Sequence, residues 1–251
     1  MTAWIEGTVV GQTRWTERLL SLKVSAPMGS FEAGQFAKLA LDIDGERVAR
    51  PYSFVNAPGA QPLEFYYAVL PGGPLSPRLA ALAAGDRVYL SSNPAGFLVL
   101  SEVPDADTLW LIATGTGIGP FLSILRTAAP WKRFRRLVLV HAARHAAELV
   151  YPEVIAALEA SHPEQFACVR ITSREPEHGA VPGLLNGRIP GLLRDGSLEA
   201  RSGCELSASG AQVMLCGNPD MVTDMTTALA ERGMKKHRRR APGQITVENY
   251  W

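Results

Sequence analysis

The stretch "LWLIATGTGIGPFLSIL", Leu109 to Leu125, decides the architecture. Its first five residues are continuously apolar, as expected of a strand buried on both faces of a parallel sheet. Three glycines follow at 115, 117 and 119, and a helical pattern begins near Gly119-Pro120. A strand, a glycine turn and a helix in that order form the unit from which open α/β sheets are built, and such sheets bind ligands beyond the carboxyl ends of their strands. The glycines leave the backbone bare enough for a phosphate to approach, and the helix start aims free amides at it. The spacing is not G-x-G-x-x-G, because the third glycine would fall on Pro120. A tight turn without a ligand is the alternative reading.

Downstream the alternation continues. "RLVLVHAAR" (136–144) and "FACVRITSRE" (166–175) are apolar runs ending in polar residues, with the helical "YPEVIAALEA" (151–160) between them. "AQVMLCGNPDMVTDMTTALAERG" (211–233) adds a strand and its helix. Residues 176–210 are loop-rich, with one short helix expected at 189–195. Upstream the texture differs. "WIEGTVVG", "RLLSLKVS", "QFAKLAL", "VARPYSFV", "LEFYYAVL" and "RVYLSS" are six short strand-like runs separated by turn residues. They predict a six-stranded antiparallel β-barrel, interrupted by one helix in "LSPRLAALAAG" with Ser76 as N-cap, Pro77 at the first helical position and Gly85 past its end. The expected organisation is two domains, a barrel over 1–99 and a parallel-sheet α/β domain over 100–251.

Composition narrows the function classes. Apolar residues at 47% and charged residues at 20% exclude a mainly disordered or fibrous chain. The 25 Lys+Arg against 24 Asp+Glu leave +1, so electrostatic recognition has to be local. The opening "MTAWIEG" has no basic leader, and no apolar run reaches the roughly 18 residues that span a bilayer, so a cytoplasmic location is expected. Cys168, Cys204 and Cys216 have no C-x-x-C spacing, which fits a reducing compartment and speaks against an iron–sulfur or zinc site. His141 and His145 lie four apart, but His141 ends a buried-looking strand, and no metal is expected.

The strand ends suggest which phosphate. A NAD site places an acid after its second strand, whereas arginine accommodates the additional phosphate of NADP. Arg144 stands there with no acid beside it in "VLVHAARH"; Ser173 and Arg174 end the next run, and Arg188 follows in "NGR". Three planar, multidentate cations suit a 2′-phosphate. In the barrel half, "RPYSF" (50–54) supplies a cation, an aromatic plate and a hydroxyl within four residues, types that suit a flavin nucleotide, although an ordinary strand can carry the same run.

Taken in order, "RPYS", "GGPLSPRLAAL", "ATGTGIGPFLSIL", "LVLVHAAR", "SRE", "CGNP" and the closing "ENYW" resemble the bacterial ferredoxin (flavodoxin)–NADP⁺ reductases, in particular the short type ending in Tyr-Trp. The resemblance runs through nearly the whole chain and is weakest over 176–210. It implies a flavin-binding barrel, an NADP-binding α/β domain and a C-terminal tail returning to the flavin. It further implies that Arg50, Pro51, Tyr52 and Ser53 form the flavin motif, that Tyr66, Tyr67 and Ala68 line FAD, and that Pro74, Leu75 and Ser76 open a helix toward its pyrophosphate. Thr116 matches the position between flavin and nicotinamide. Ala143, Arg144, Ser173, Arg174 and Arg188 match the NADP adenosine site, and Cys216, Gly217 and Asn218, with Asp220 nearby, the motif beside the nicotinamide. Tyr250 and Trp251 match the terminal aromatics, the last stacking on the adenine of a folded FAD.

The activity implied is hydride transfer from NADPH to FAD followed by single-electron transfer to ferredoxin or flavodoxin. Ser53, Cys216 and Glu248 are its expected catalytic residues, Glu248 as a proton or charge partner and Cys216 in positioning nicotinamide. "KKHRRR" (235–240) carries five Lys+Arg in six residues and is expected to dock an acidic carrier rather than nucleic acid, no membrane being involved and a monomer sufficing. The alternatives are an NADPH-dependent electron-transfer subunit or flavin reductase of the same superfamily, a flavin-free NADPH dehydrogenase, and a non-enzymatic binding protein using residues 235–240.

Overall fold

The computed structural model describes residues 3–175 and 183–249, with Asn249 by its backbone alone. Tyr250 and Trp251 lie outside the described residues, as do 176–182 within the loop-rich stretch. Contacts divide the chain into two compact units, one of residues 1–99 and 119–127, the other of 100–118 and 128–251.

The first unit contains six described strands: β1 (Trp4–Arg14), β2 (Leu19–Ser25), β3 (Phe36–Ile43), β4 (Glu46–Ser53), β5 (Leu63–Ala68) and β6 (Arg87–Ser91). They run in the order β4-β3-β6-β1-β2-β5, every pair antiparallel. The bridge Phe54↔Phe65 joins the two ends of that order, so the sheet curls on itself. Asp44 and Gly45, at φ 51° and 84°, make the two-residue turn between β3 and β4 that an Asp-Gly pair favours. Period-2 alternation turns Leu20, Leu22 and Val24 of β2, and Leu63, Phe65 and Tyr67 of β5, into one buried cluster. Each such aliphatic or aromatic side chain contributes about 1.5–3 kcal/mol on burial.

The one helix of this half, α1 (Ser76–Ala80), is shorter than expected, and its N-cap is Leu75. Ser76 is not the N-cap: its Oγ accepts the amide of Leu70 at 2.9 Å, which ties the helix to the preceding turn. Helix α2 (Ile118–Leu125), the helix after the glycine loop, gives all but its first residue to the first unit. The buried Ser123 hydroxyl donates to the carbonyl of Asn56 at 2.7 Å, and Arg126 donates to the carbonyl of Val55 at 3.0 Å and pairs with Glu64 at 3.4 Å.

The second unit is a parallel sheet in the order β10-β9-β8-β7-β11-β12 among the described residues. Its strands are β7 (Thr108–Thr114), β8 (Arg136–Ala143), β9 (Phe166–Thr172), β10 (Leu185–Asn186), β11 (Ala211–Gly217) and β12 (Ile245–Asn249). Strands β7, β8 and β11 are the continuous apolar runs of the sequence and are buried nearly end to end. On one face Trp110, Ile112, Val138, Val140, Val213 and Leu215 join a core with helices α5 (Ile189–Arg194), α6 (Ser197–Ser202) and α7 (Pro219–Glu231). Helices α3 (Ala129–Arg133) and α4 (Pro152–Ser161) complete the described set. The tail is more ordered than the sequence suggests, since Ile245–Asn249 forms the edge strand β12 beside β11.

Candidate functional site

In the first unit the run expected to bind flavin ends β4. Arg50 and Pro51 are exposed, Tyr52 is half-buried, and Ser53 is 8% exposed. On β5 the alternation separates the expected trio. Tyr67 points into the barrel core at 1% exposure, with its hydroxyl on Gln12 Oε1 at 2.7 Å, while Tyr66 and Ala68 take the opposite face. The Tyr67 ring meets Tyr52 edge-on, with centroids 5.9 Å apart and planes at 77°. Burial pushes the Tyr52 phenol up to about 12, and burial likewise carries Tyr67 above its ordinary range, so both stay neutral donors at any physiological pH. Pro74 is exposed; Leu75 is a core residue and Ser76 is committed to Leu70.

In the second unit the strand ends converge on the glycine loop. A Cβ on Gly117 would sit 2.4 Å from the carbonyl oxygen of Cys216, and one on Gly217 2.2 Å from Thr114 Oγ1, so two backbones pack in direct contact and neither can carry a side chain. The Asn218 amide donates to Thr114 Oγ1 at 2.9 Å and locks the same pair. Asn218 is also the N-cap of α7, its Oδ1 accepting from Asp220 at 2.8 Å and Met221 at 3.4 Å; this is the local reason for "NP" after the strand. Over Gly115 the space where a side chain would lie is empty to 4 Å. Thr116 follows it in the same turn, half-buried. Cys216 is fully buried, and the parallel register sets it level with Ala113 on one side and Glu248 on the other.

The arginines lie where three neighbouring strands end. Arg144 follows β8, Ser173 and Arg174 follow β9, and Arg188 comes two residues after β10. Amide-to-carbonyl bonds Ser173→Ala143 at 3.0 Å and Arg174→Arg144 at 2.9 Å hold the first two ends side by side, and Gly187→Thr172 at 2.9 Å adds the third. Arg144, Ser173, Arg174 and Arg188 are all exposed. Arg188 also borders a cavity of about 420 Å³ with Arg194 and Asp224. Two acids that the sequence reading left unassigned shape this edge: Glu148 accepts the amide of Arg144 at 3.0 Å, and Glu175 that of Ala146 at 2.5 Å. Glu175 also lies 3.8 Å from the His145 ring.

The basic run forms a tight turn in which Arg238 and Ala241 exchange backbone bonds of 3.1 and 2.8 Å. Arg239 pairs with Glu102 through Nε and Nη2 and holds that carboxyl below the usual range, while Lys235, Lys236, Arg238 and Arg240 are exposed. His141, at the end of β8, is completely buried with no hydrogen bond to either ring nitrogen, and burial drives it down to about 3. Among the described residues no three His, Cys, Asp or Glu are grouped to hold a metal, and no helix is long and apolar enough to cross a membrane.

These groups suit the two cofactors expected. A flavin needs an aromatic face held from behind, a cation and a hydroxyl at one strand end, which Tyr52, Arg50 and Ser53 provide. A phosphorylated dinucleotide needs bare backbone at a strand-to-helix turn and exposed guanidinium groups at neighbouring strand ends, which the loop at Gly115 and the three arginines provide.

Comparison with known proteins agrees with that chemistry. Residues 111–227 match the family model described as the oxidoreductase NAD-binding domain. The chain is 50% identical over 252 residues to the flavodoxin/ferredoxin–NADP reductases of Shigella flexneri and of Escherichia coli K12, covering all of this chain and all of each relative. Among solved structures, a ferredoxin NADP⁺ reductase from Neisseria gonorrhoeae with bound FAD and NADP superposes at a TM-score of 0.93, with 34% identity over the full length of both chains.

Proposed function

Because this chain belongs to the flavodoxin/ferredoxin–NADP reductase family, we propose that it carries electrons between NADPH and ferredoxin or flavodoxin, with FAD as its resident cofactor. FAD, when bound, supplies the conversion between a nicotinamide that gives two electrons together and carriers that take one at a time.

The chain's own groups bind and orient. Tyr52 offers its ring face, Arg50 a fixed positive charge for the diphosphate, and Ser53 a hydroxyl at the end of the same strand. Tyr67 works from behind Tyr52, whose ring it meets edge-on. Tyr66, Ala68, Pro74, Leu75 and Ser76 shape the surrounding wall. In the second unit Thr116, Cys216, Gly217 and Asn218 shape the nicotinamide pocket, with Asp220 in the first turn of α7. Cys216 acts by filling space beside the ring. Glu248 holds a negative charge or a proton one strand away from Cys216. Tyr250 and Trp251, immediately beyond β12, remain assigned to the flavin.

The observation that carries the NADP preference is the placing of Arg144, Arg174 and Arg188 after three adjacent strands. Replacing Arg144 and Arg174 by Ala raises the KM for NADPH at least about tenfold while that for NADH changes by less than about twofold. Equal effects on both coenzymes would refute the assignment.

The exposed cations of 235–240 form the docking surface for an acidic carrier. Carrier reduction slows as ionic strength rises, whereas reduction of a small neutral acceptor does not. Cys168, Cys204 and Cys216, which form no disulfide, fit a cytoplasmic site of action, and the working form is a monomer.

A further inference from the structure

The barrel contains a polar side chain that the function proposed so far does not use. Gln12 lies on β1, beyond the register shift between Val9 and Gly11, and is half-buried. Its amide is committed three ways. Nε2 donates to the carbonyls of Leu79 and Leu82, each at 2.8 Å, and Oε1 accepts from the Tyr67 hydroxyl at 2.7 Å. Leu79 and Leu82 flank the end of α1, where the Leu79 carbonyl also accepts the amide of Leu82 at 3.2 Å and Gln12 adds a second donor. Tyr67 in turn stands edge-on to Tyr52, the ring assigned to the flavin.

We infer that Gln12 is a positioning residue for the flavin site: through Tyr67 it fixes the plane of Tyr52, and through Leu79 and Leu82 it fixes α1 against the same wall. The inference rests on the flavin reading above. Its physical basis is satisfaction of buried polar atoms. A tyrosine that is 1% exposed keeps its hydroxyl in the core only while that hydroxyl has an acceptor, and Gln12 supplies it. Remove the acceptor and the phenol must either stay unsatisfied or swing toward water, carrying its edge contact away from Tyr52. Truncation of the amide also strips a donor from two carbonyls at the end of α1, so the two supports of the site loosen together. A side chain smaller or apolar at position 12 therefore leaves the barrel folded with a Tyr52 ring that is no longer held.

The test uses the full chain stripped of flavin, titrated with FAD while flavin fluorescence is followed, with thermal melting of each apoprotein recorded alongside. Gln12→Leu weakens FAD binding about tenfold. It also raises the residual fluorescence of bound FAD, because quenching depends on a ring held against the flavin. Tyr67→Phe, which keeps the ring and loses the hydroxyl, weakens binding about threefold. Adding Tyr67→Phe to the Gln12→Leu chain recovers part of the loss, since the unsatisfied hydroxyl is then gone. A role in barrel stability alone would lower the melting temperature and leave the affinity and residual fluorescence of the folded protein unchanged.

A Gln12→Leu protein that binds FAD within about twofold of the unsubstituted chain, with the same residual fluorescence, overturns the inference whatever its melting temperature. Should that variant fail to fold, Tyr67→Phe decides: unchanged affinity and unchanged fluorescence overturn it. An unsubstituted chain that takes up no FAD overturns the flavin reading and this inference with it, and is told apart by being seen before any variant is made.

Discussion

The two units build their halves of the chemistry by different means. In the barrel, the key aromatic Tyr52 is held by another side chain, Tyr67, which is held by a third, Gln12. In the parallel unit, Thr114, Gly117, Cys216, Gly217 and the arginine-bearing strand ends are held by backbone, through sheet register and amide-to-carbonyl bonds. A site of stacked side chains is lost one substitution at a time and loses affinity first. A site of interlocked backbone tolerates changes in its arginines, which alter only what it binds, and fails outright where a glycine at the contact gains a side chain.

The sharpest way to break that contrast is Gly217→Ala. The added methyl would lie 2.2 Å from Thr114 Oγ1 at a backbone angle of +134° that other residues rarely adopt. The expected loss is about 3 kcal/mol in urea unfolding, together with loss of NADPH binding. Gly217→Ala protein with ordinary stability and coenzyme affinity would show that the backbone contact is dispensable.

Acid titration gives the next largest effect and belongs to the parallel unit alone. His141 is held near 3 in the folded protein, below the ordinary value of about 6.5 that it regains on unfolding. Between those values the unfolded chain binds a proton that the folded one refuses. Stability therefore falls as pH drops through that window, by up to about 1.4 kcal/mol per pH unit from this group. Replacing His141 by Leu flattens the slope of unfolding free energy against pH between about 4 and 6; an unchanged slope would mean that the buried imidazole does not set it.

The smallest effect concerns the basic turn. Glu102→Gln removes the carboxylate that pairs with Arg239 and makes the proposed docking surface more positive by one charge. The KM for an acidic carrier falls about twofold or less at low salt and not at all at high salt. A change that persists at high salt would point to a shape effect instead.

Much of this was legible in the residues, and the exceptions share a cause. Strands β7, β8, β9 and β11 show as apolar runs because a sheet covered on both faces needs nothing else, and the Arg, Ser and glycine positions at their ends follow from that placement. Strand β12 reads as a tail: "ITVEN" alternates over only four residues after a basic, loop-like stretch, and its pairing with β11 makes it a strand. The helix after the glycine loop reads as part of the α/β half by chain order, yet Ser123 and Arg126 bond to Asn56, Val55 and Glu64 and give it to the barrel. Ser76 sits where an N-cap would, but a competing amide at Leu70 takes its hydroxyl. Gln12 was invisible for the plainest reason. Its partners lie 55 and more residues away, and no local pattern marks a side chain whose purpose is to satisfy a distant tyrosine.

The most direct measurement is the visible absorption spectrum of the full chain, reconstituted with FAD under mild conditions and recorded before and after NADPH is added without oxygen. The account predicts a bound flavin spectrum that bleaches with NADPH and returns when ferredoxin or flavodoxin is supplied as acceptor. A chain that retains no flavin, or a bound flavin that NADPH leaves unchanged, would contradict it.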